Sequence, residues 1–110
     1  MKTLKFEPRL CDLILKGEKI TTWRLFDDKN LTQGDEFELV NFETKEGFGF
    51  GVITKLKQKT FGNLDDEDWS GHERFSSDEE MYATYTKYSG QPVTAETEVK
   101  IIHFDFTPKV

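Results

Sequence analysis

The sequence predicts an α+β fold: a small, strongly curved β-sheet of five to six strands with two or three flanking helices. Short segments rich in β-branched and aromatic residues, separated by glycine-containing turns, occupy most of the chain and are typical of a mostly antiparallel sheet. Two other segments carry apolar residues at helical spacing, one near each end of the chain. With 110 residues the chain is long enough for one hydrophobic core, so we expect a single domain spanning 1–110.

Two helices are predicted from their end signals and apolar stripes. The first spans 8–16, because Pro8 suits a first helical turn and apolar residues follow at helical spacing. The second spans 77–89, because Ser76 and Glu79 form a capping box ahead of an apolar stripe. Both predicted helices are followed by a glycine, at Gly17 and Gly90.

Five segments predict strands from their β-branched and aromatic content: 3–7, 20–26, 36–43, 48–60 and 97–106. Gly49 and Gly51 predict a bend or bulge in the fourth of these strands. The acidic stretch 61–75 is predicted to be irregular, with one helical turn at 64–69. The hairpin-linked central strands favour a curved sheet or small barrel with helices at its ends.

Composition places the protein among globular rather than disordered chains. Charged residues make up 33% of the sequence, but aromatic residues make up 14% and supply apolar surface for a core. No apolar run approaches the roughly 18 residues of a membrane span, and the N-terminus has no signal-peptide pattern. The lone Cys11 cannot form an intramolecular disulfide, which fits a reducing compartment. We expect a cytoplasmic protein without a membrane segment, as a monomer or weak dimer.

The net charge of −6 is unevenly distributed. Residues 1–29 hold seven Lys or Arg and five Asp or Glu, whereas residues 61–82 hold one Arg and eight Asp or Glu. A protein that binds nucleic acid through many phosphate contacts carries a basic face. The charge distribution therefore does not favour extended nucleic-acid binding, and RNA is the less favoured partner.

Residues that could hold a metal ion or act as a thiol nucleophile are scarce. His72 and His103 lie far apart and show no ligand-pair spacing, so we predict no metal site. We interpret His72 as part of a solvated loop and His103 as lying beside a strand edge. Cys11 lies in an apolar helix, where a thiol behaves as a small hydrophobic residue rather than a nucleophile.

Lys19, Thr22 and Arg24 form the most distinctive polar cluster in the sequence. Thr22 and Arg24 are two residues apart in a predicted strand and should therefore face the same side. Lys19 lies at the preceding helix-to-strand turn, where its long side chain can bend into the same space. The spacing alone leaves two interpretations open: a polar cavity, or a strand side that faces solvent.

The segment Gly17-x-Lys19-x-x-Thr22-x-Arg24 matches the G-x-K-x-x-T-x-R motif of the ASCH domain family (activating-signal-cointegrator homology). The resemblance continues to the turn at 33–35 and covers the predicted strand order and the late helix-strand ending. The sequence thus resembles an ASCH domain over nearly its whole length. This resemblance implies a PUA-like β-barrel.

Within that family the sequence is most similar to small bacterial N4-acetylcytidine amidohydrolases. The resemblance implies that Lys19 is the base, Thr22 the nucleophile and Glu73 the acid/base partner, the last in the segment Glu-Arg-Phe-Ser that precedes the second helix. It also implies a small acylated nucleoside as substrate. Trp23 stands where those enzymes carry a smaller apolar residue.

The chemistry explains why these residue types are needed. A Thr hydroxyl becomes a good nucleophile only when a neighbour takes its proton. Lys19 can do so only when neutral, so we expect burial and Arg24 to lower its pKa toward ~7–8. We further expect Arg24 to stabilise the oxyanion. Trp23, Trp69 or a Phe is expected to stack on the substrate base, although core packing is the better interpretation for at least two of Trp23, Phe48, Phe50 and Trp69. No metal or organic cofactor is required.

Three functions are compared. An amidohydrolase needs a Lys-Thr-Glu set, which the sequence contains. A non-enzymatic RNA-binding module is the alternative, because ASCH domains resemble PUA domains and members of the family have been linked to RNA. An ASCH ribonuclease is less favoured, because no acid-base pair for phosphodiester cleavage is evident. Glu73 also has an alternative interpretation as one more carboxylate of an acidic loop, with Asp68 and Glu67 as the next candidates for its role.

Overall fold

The computed structural model describes residues 1–25 and 29–109. Its strands are β1 (Lys2–Phe6), β2 (Thr21–Arg24), β3 (Glu36–Asn41), β4 (Gly47–Thr60) and β5 (Glu98–Pro108). Its helices are α1 (Pro8–Leu15), α2 (Asp66–Trp69) and α3 (Asp78–Ser89), with a 3-10 turn at Phe61–Asn63. Within the described residues the five strands form one curled half-barrel sheet in the order β1-β3-β4-β5-β2. The predicted α+β fold, a curved PUA-like sheet with flanking helices, is confirmed.

The two outer strands of the curled sheet are β1 and β2. Strand β1 pairs with β3 in parallel, and the other neighbouring strands are antiparallel. Arg24 links the two edges: its Nη2 donates a hydrogen bond to the carbonyl of Lys5 at 2.9 Å. Its guanidinium carbon also lies 4.6 Å from the centroid of the Phe6 ring. Arg24 therefore helps to close the seam of the half-barrel.

Glycines in β4 make room for aromatic rings. A Cβ atom on Gly49 would lie 2.3 Å from the ring of Phe106, and one on Gly51 would lie 2.5 Å from the ring of Phe37. The pairing of β4 with β3 is irregular beside Gly49: Leu39 pairs with Gly49 and Val40 pairs with Gly47, so one extra β4 residue lies between them. A second register shift, in the pairing with β5, lies between Ile53 and Lys55. The predicted irregularity is therefore confirmed at Gly49 but not at Gly51, where the absence of a side chain makes room for a ring of β3.

Helix α1 leads the chain toward the candidate site. It begins at Pro8, as predicted, and buries one apolar face against the sheet through Leu10, Cys11 and Ile14. Gly17 follows with φ +79, a conformation that glycine adopts without steric cost. The chain turns there and enters β2.

Helix α3 begins one residue later than its predicted capping box. The N-cap is Ser77, whose hydroxyl accepts the N–H of Glu80 at 3.1 Å. Ser76 instead donates its hydroxyl to the Glu80 carboxylate at 2.6 Å. The helix ends as predicted at Gly90, with φ +74. Two adjacent serines and two adjacent glutamates offer the same capping pattern twice, and the structure uses the second.

Helix α3 packs into a cluster of apolar residues built around the rings of Trp23, Phe61 and Tyr85, referred to below as the aromatic cluster. Its buried members are Trp23, Phe61, Met81, Tyr85, Val93, Val99 and Ile101. Phe26, Asp27, Asp28 and Val110 lie outside the described residues. Strand β2 ends at Arg24, before the predicted end of the second strand at 26. In the part of the chain that the structure describes, no helix has both the length and the apolar character of a membrane span.

Candidate functional site

A cavity of about 500 Å³ opens where β1, β2 and α3 meet. Thr22 and Arg24 of β2 line it, together with Glu73 from the loop after α2 and Tyr85 from α3. Much of the remaining wall is apolar or aromatic and comprises Phe6, Leu10, Trp23, Leu25, Phe42 and Tyr88. Thr22 and Arg24 face the same space, as their spacing on a strand requires.

Lys19 is buried, with 1% of its surface exposed, although lysine is seldom found inside proteins without a partner. Its Nζ donates hydrogen bonds to Oε1 of Glu73 at 2.5 Å and to the carbonyl of Thr21 at 2.7 Å. Lys19 therefore reaches the cavity wall through Glu73, and it contacts β2 one residue before Thr22. The turn at Gly17 directs the chain from α1 to this position.

The environment of Lys19 changes its protonation. Burial lowers the pKa of Lys19 from 10.5 to about 8, because an ammonium group loses its hydration inside the protein. Glu73 opposes this shift in pKa by attracting the charge, whereas Arg24 and Arg9 add to it by repulsion. A lysine with this pKa can lose and regain its proton near neutral pH, as a catalytic base must.

Glu73 is the carboxylate that lies beside Lys19, and 8% of its side chain is exposed. Burial by itself raises the pKa of Glu73, but the charge of Lys19 and the neighbouring His72 outweigh it, so the pKa lies below its ordinary value. Oε1 accepts the hydrogen bond from Lys19, and no group in the described residues donates to Oε2. Oε2 is therefore left for a ligand in the cavity.

The loop that carries Glu73 is fixed to β2 by the main chain of Gly71. The Gly71 carbonyl accepts hydrogen bonds from the N–H groups of Ile20 and Thr21 at 2.9 and 3.1 Å. Gly71 has φ +74, and a Cβ atom there would lie 2.3 Å from Cγ1 of Ile20. This approach favours glycine strongly, so Gly71 sets the position from which the carboxylate is presented.

Thr22 and Arg24 present polar groups to the cavity in different ways. Thr22 is 4% exposed, and its hydroxyl makes no hydrogen bond within residues 1–25 and 29–109. The guanidinium of Arg24 lines the cavity while it is held by the Lys5 carbonyl and the Phe6 ring. A ligand would therefore meet the Thr22 hydroxyl, which has no partner among the described residues, beside a guanidinium that is held in place.

Trp23 belongs mainly to the aromatic cluster. His72 stacks on its indole, with ring centroids 3.8 Å apart and an interplanar angle of 17°. The indole N–H donates to the carbonyl of Asp68 at 3.2 Å. One face of Trp23 is thus covered, and only the part that borders the cavity is available for the predicted contact with substrate.

Both histidines are placed differently from their predicted positions. His72 is buried rather than solvated, because the aromatic cluster encloses its ring. His103 lies within β5 and pairs with Thr21 rather than standing beside a strand edge. The Thr21 hydroxyl donates to the carbonyl of Ser70 at 2.6 Å, so Nδ1 of His103, at 2.8 Å, donates its hydrogen to Thr21. Thr21 and Ser70 are supporting residues that the sequence analysis missed, and it did not predict the contact of His103 with Thr21.

The acidic stretch after β4 is largely neutralised by lysines of that strand. Glu67 contacts Lys55 at 2.5 Å and Lys57 at 3.0 Å. Asp68 is fully buried and contacts Lys57 at 2.5 Å and Lys59 at 2.7 Å. These two carboxylates, the alternatives to Glu73, are therefore engaged with β4. Glu73 is the carboxylate that the structure brings to Lys19.

The charges on the cavity wall do not reproduce the acidity of the loop. The charged lining residues are Lys5, Arg24, Lys87, Glu7 and Glu73, three cations and two carboxylates. Among the described residues, no group of three or more His, Cys, Asp or Glu side chains is arranged to hold a metal ion. The candidate site thus combines the buried Lys19–Glu73 pair, the Thr22 hydroxyl, the Arg24 guanidinium and an aromatic wall.

Comparisons with known proteins support the fold. No protein-family model matches the chain, and no curated protein matches it significantly. Among solved structures, protein EF3133 from Enterococcus faecalis, described under the family model DUF984, is 13% identical and has a TM-score of 0.77, covering 98% of this chain and 77% of its own. The ASCH domain from Lactobacillus crispatus is 16% identical with a TM-score of 0.65, covering 92% of this chain and 72% of its own.

A third similar structure is ASCH from Zymomonas mobilis. It is 18% identical with a TM-score of 0.65, and the match covers 96% of this chain and 68% of that one. Identities this low establish a shared fold rather than a shared activity. The chain therefore has the fold of an ASCH domain, as the sequence analysis predicted.

Proposed function

We propose that this protein is an amidohydrolase that removes the acetyl group from N4-acetylcytidine or a related acylated nucleoside. Lys19 is the base, Thr22 the nucleophile and Glu73 the acid/base partner. Arg24 stabilises the oxyanion, and the aromatic wall, including Trp23, holds the base of the substrate. The reaction uses no metal ion and no organic cofactor.

One observation carries this proposal: the carboxylate of a buried Lys-Glu pair lines the same cavity as a Thr hydroxyl that makes no hydrogen bond among the described residues. Burying two opposite charges is costly and seldom contributes net stability, so such a pair beside a cavity is a candidate for proton transfer. Lys19 and Glu73 form the pair at 2.5 Å, and Thr22 supplies the hydroxyl.

Acylation of Thr22 can be written with protons from the pair alone. When substrate displaces water, the proton that Lys19 shares with Glu73 moves to the carboxylate, so the amine becomes neutral. Nζ then takes the Thr22 proton as Oγ1 attacks the acetyl carbonyl carbon, which requires the two atoms to approach within about 3.2 Å. The guanidinium of Arg24 stabilises the negative oxygen. Glu73 protonates the exocyclic nitrogen of the cytosine base as the bond between that nitrogen and the acetyl carbon breaks.

Deacylation returns the site to its starting state. The acetyl group is now an ester of Thr22, with Lys19 as an ammonium and Glu73 as a carboxylate. Glu73 takes a proton from a water molecule as that water attacks the ester carbon. Lys19 returns a proton to Oγ1 as the ester bond breaks, and acetic acid leaves. The proton on Glu73 then passes back to Lys19.

The cavity suits a small aromatic ligand. Its volume of about 500 Å³ lies within the range of small-molecule sites, whose walls are mainly apolar with a few fixed polar groups. Glu73 Oε2 can accept a hydrogen bond from the exocyclic N–H of an acylated base. Phe6, Phe42 and Tyr88 provide ring surface beside it.

The proposed activity is tested by incubating the protein with a panel of acylated nucleosides and following release of the free base or nucleoside by chromatography. N4-acetylcytidine should be hydrolysed at a rate unaffected by EDTA. Thr22→Val should be inactive, whereas Thr22→Ser, which keeps a hydroxyl at the same carbon, should retain activity. Absence of hydrolysis by the wild-type protein across the panel would contradict the proposal.

A non-enzymatic RNA-binding module is the second candidate, and the cations of the cavity wall favour it. Lys5, Arg24 and Lys87 outnumber the lining carboxylates, and phosphate contacts supply much of the affinity for RNA. The amidohydrolase proposal expects a higher kcat/KM for free N4-acetylcytidine than for an oligonucleotide carrying the same base. Tight, strongly salt-dependent binding of the oligonucleotide without hydrolysis would support the RNA-binding module instead.

A further inference from the structure

His72 is enclosed by groups that fix which of its ring nitrogens carries hydrogen. Nδ1 lies 2.8 Å from the main-chain carbonyl of Glu73, and a carbonyl oxygen can only accept. Nδ1 therefore carries the hydrogen. Burial lowers the pKa of His72 to about 3, so Nε2 stays unprotonated and accepts a hydrogen bond from the Tyr85 hydroxyl at 3.2 Å.

The same imidazole also faces the carboxylate of Glu73. Nδ1 lies 3.3 Å from Oε1, the oxygen that accepts the hydrogen bond from Lys19. The Nδ1 hydrogen is donated to the carbonyl, and the same ring lies against the carboxylate of that residue. The imidazole therefore anchors the Glu73 main chain and limits the space open to its side chain, with Oε1 on Lys19 and Oε2 free of described donors.

Packing leaves the imidazole little freedom to rotate. Trp23 stacks on its face at 3.8 Å, and Trp69 meets it edge-on with centroids 5.9 Å apart. Three charged groups also influence the pKa of His72: Lys19 and Arg74 lower it, and Glu73 raises it. A ring fixed by two hydrogen bonds and two indoles is far more constrained than packing of an apolar residue requires.

We infer that His72, oriented by Tyr85, is a positioning residue that holds the Glu73 carboxylate on Lys19 and presents its second oxygen to the cavity. The inference rests on the proposed function for its catalytic consequence, but its structural content concerns the Lys19–Glu73 pair alone. A neutral imidazole suits this task, because a charged one would compete with Lys19 for the carboxylate.

Two variants of similar size separate positioning from packing. His72→Asn places an amide N–H near the position of Nδ1, so it keeps the donor to Glu73 and loses the partner of Tyr85. His72→Gln places its amide group near Nε2, so it keeps a partner for Tyr85 and loses the donor to Glu73. Both lose the stacked ring over Trp23, so a purely structural role would affect them alike.

The deciding measurement is the pKa of Lys19 by NMR in the ligand-free proteins, which does not depend on any activity. We expect the pKa of Lys19 in His72→Asn to match the wild type. In His72→Gln the carboxylate loses a restraint and the buried ammonium loses a fixed counter-charge, so the pKa of Lys19 should fall. Equal pKa values of Lys19 in both variants and the wild type would overturn the inference.

Kinetics provide the second readout if the wild type hydrolyses N4-acetylcytidine. His72→Gln should lose about 10²-fold or more in kcat with little change in KM, because acid-base geometry rather than binding is affected. His72→Asn should recover most of kcat. An inactive wild type would refute the proposed function and leave the NMR result on His72 standing. Equal losses of kcat in the two variants would refute the positioning role alone.

Discussion

The Nζ atom of Lys19 lies 2.5 Å from Oε1 of Glu73, although 54 positions separate the two residues in the sequence. Both side chains are almost completely buried. Neither charge has bulk water to stabilise it, so each depends on the other. Stability, pH dependence and chemistry of the site all follow from this dependence.

Removal of one member of the pair should destabilise the protein more than removal of both. Lys19→Met leaves the Glu73 carboxylate buried without its cation, and breaking a buried pair in this way typically costs about 3–5 kcal/mol of unfolding free energy. The double variant Lys19→Met/Glu73→Gln removes the stranded charge and should recover much of that loss. Urea denaturation of the wild type, both single variants and the double variant measures the coupling. A double variant whose loss equals the sum of the single losses would contradict it.

The pH dependence of kcat/KM should be bell-shaped, because the pair must hold one proton in total. Above a pH of about 8, the pKa of Lys19, the pair loses that proton and Glu73 can no longer protonate the leaving amine. On the acid side the pair gains a second proton as Glu73, whose pKa is lowered from 4.5, becomes neutral. The apparent pKa values of both limbs therefore describe protonation of the Lys19–Glu73 pair rather than of either residue alone.

A plateau of kcat/KM at alkaline pH would show that neutral Lys19 suffices without a proton on Glu73. The control is Glu73→Gln, which cannot take or give this proton. Its residual kcat/KM should rise with pH instead of falling, and it should be reduced by roughly 10²–10⁴-fold at its best pH.

Arg24 should contribute to stability as well as to the site, because it joins the two edges of the half-barrel. Arg24→Met loses the hydrogen bond to the Lys5 carbonyl and the contact with the Phe6 ring. Together these interactions are worth about 1–3 kcal/mol of unfolding free energy. Arg24→Lys keeps the charge but not the planar group, so chemical denaturation should show only partial recovery. Equal stability of Arg24→Met and the wild type would show that the seam closes without this side chain.

Loss of stability in acid should depend more on Asp68 than on Glu67. The pKa of each carboxyl is lower in the folded protein than its ordinary value, and that of Glu67 falls to about 2 through its hydrogen bonds to Lys55 and Lys57. For Asp68, burial raises the pKa, but the bonds to Lys57 and Lys59 outweigh it. The unfolded chain therefore binds more protons as pH falls below about 4, so this contribution to stability is present above that pH and lost beneath it.

Asp68→Asn removes the buried member of this group and should flatten the acid limb of the stability curve. Glu67→Gln removes a half-exposed carboxylate, whose interactions are screened by water, and should change the limb less. The unfolding free energy of both variants and the wild type, measured against pH at constant salt, makes the comparison. If Glu67→Gln changed the acid limb more than Asp68→Asn does, the prediction that Asp68 dominates the loss of stability in acid would be wrong.

Much of the fold could be predicted because the sequence signals are local. Pro8 and Gly17 bracket α1, and Gly90 ends α3, since each residue has a backbone preference that acts without tertiary context. The irregularity of β4 beside Gly49 could be predicted from the glycine, but the second one, between Ile53 and Lys55, has no local signal. Gly51 is required by the ring of Phe37 on β3, and nothing local distinguishes that need from a bulge.

The candidate site divides along the same line. Thr22 and Arg24 face one cavity because strand alternation is local, and Lys19 was identified by its motif. The burial of His72 and the engagement of Asp68 with β4 lysines depend on contacts between distant segments. The sequence holds one signal for the loop that carries His72 and Glu73. Gly71, one residue before His72, indicates a turn that passes close to the main chain of another segment.

The most direct test of the account is whether Thr22 carries the acetyl group during the reaction. The protein is mixed with N4-acetylcytidine, quenched in acid during turnover, digested and examined by mass spectrometry, with Thr22→Val as the control. If Thr22 is the nucleophile, the peptide that contains Thr22 gains the mass of one acetyl group in the wild type and not in the control. Hydrolysis by Thr22→Val at the wild-type rate, without acetylation of that peptide in either protein, would contradict it.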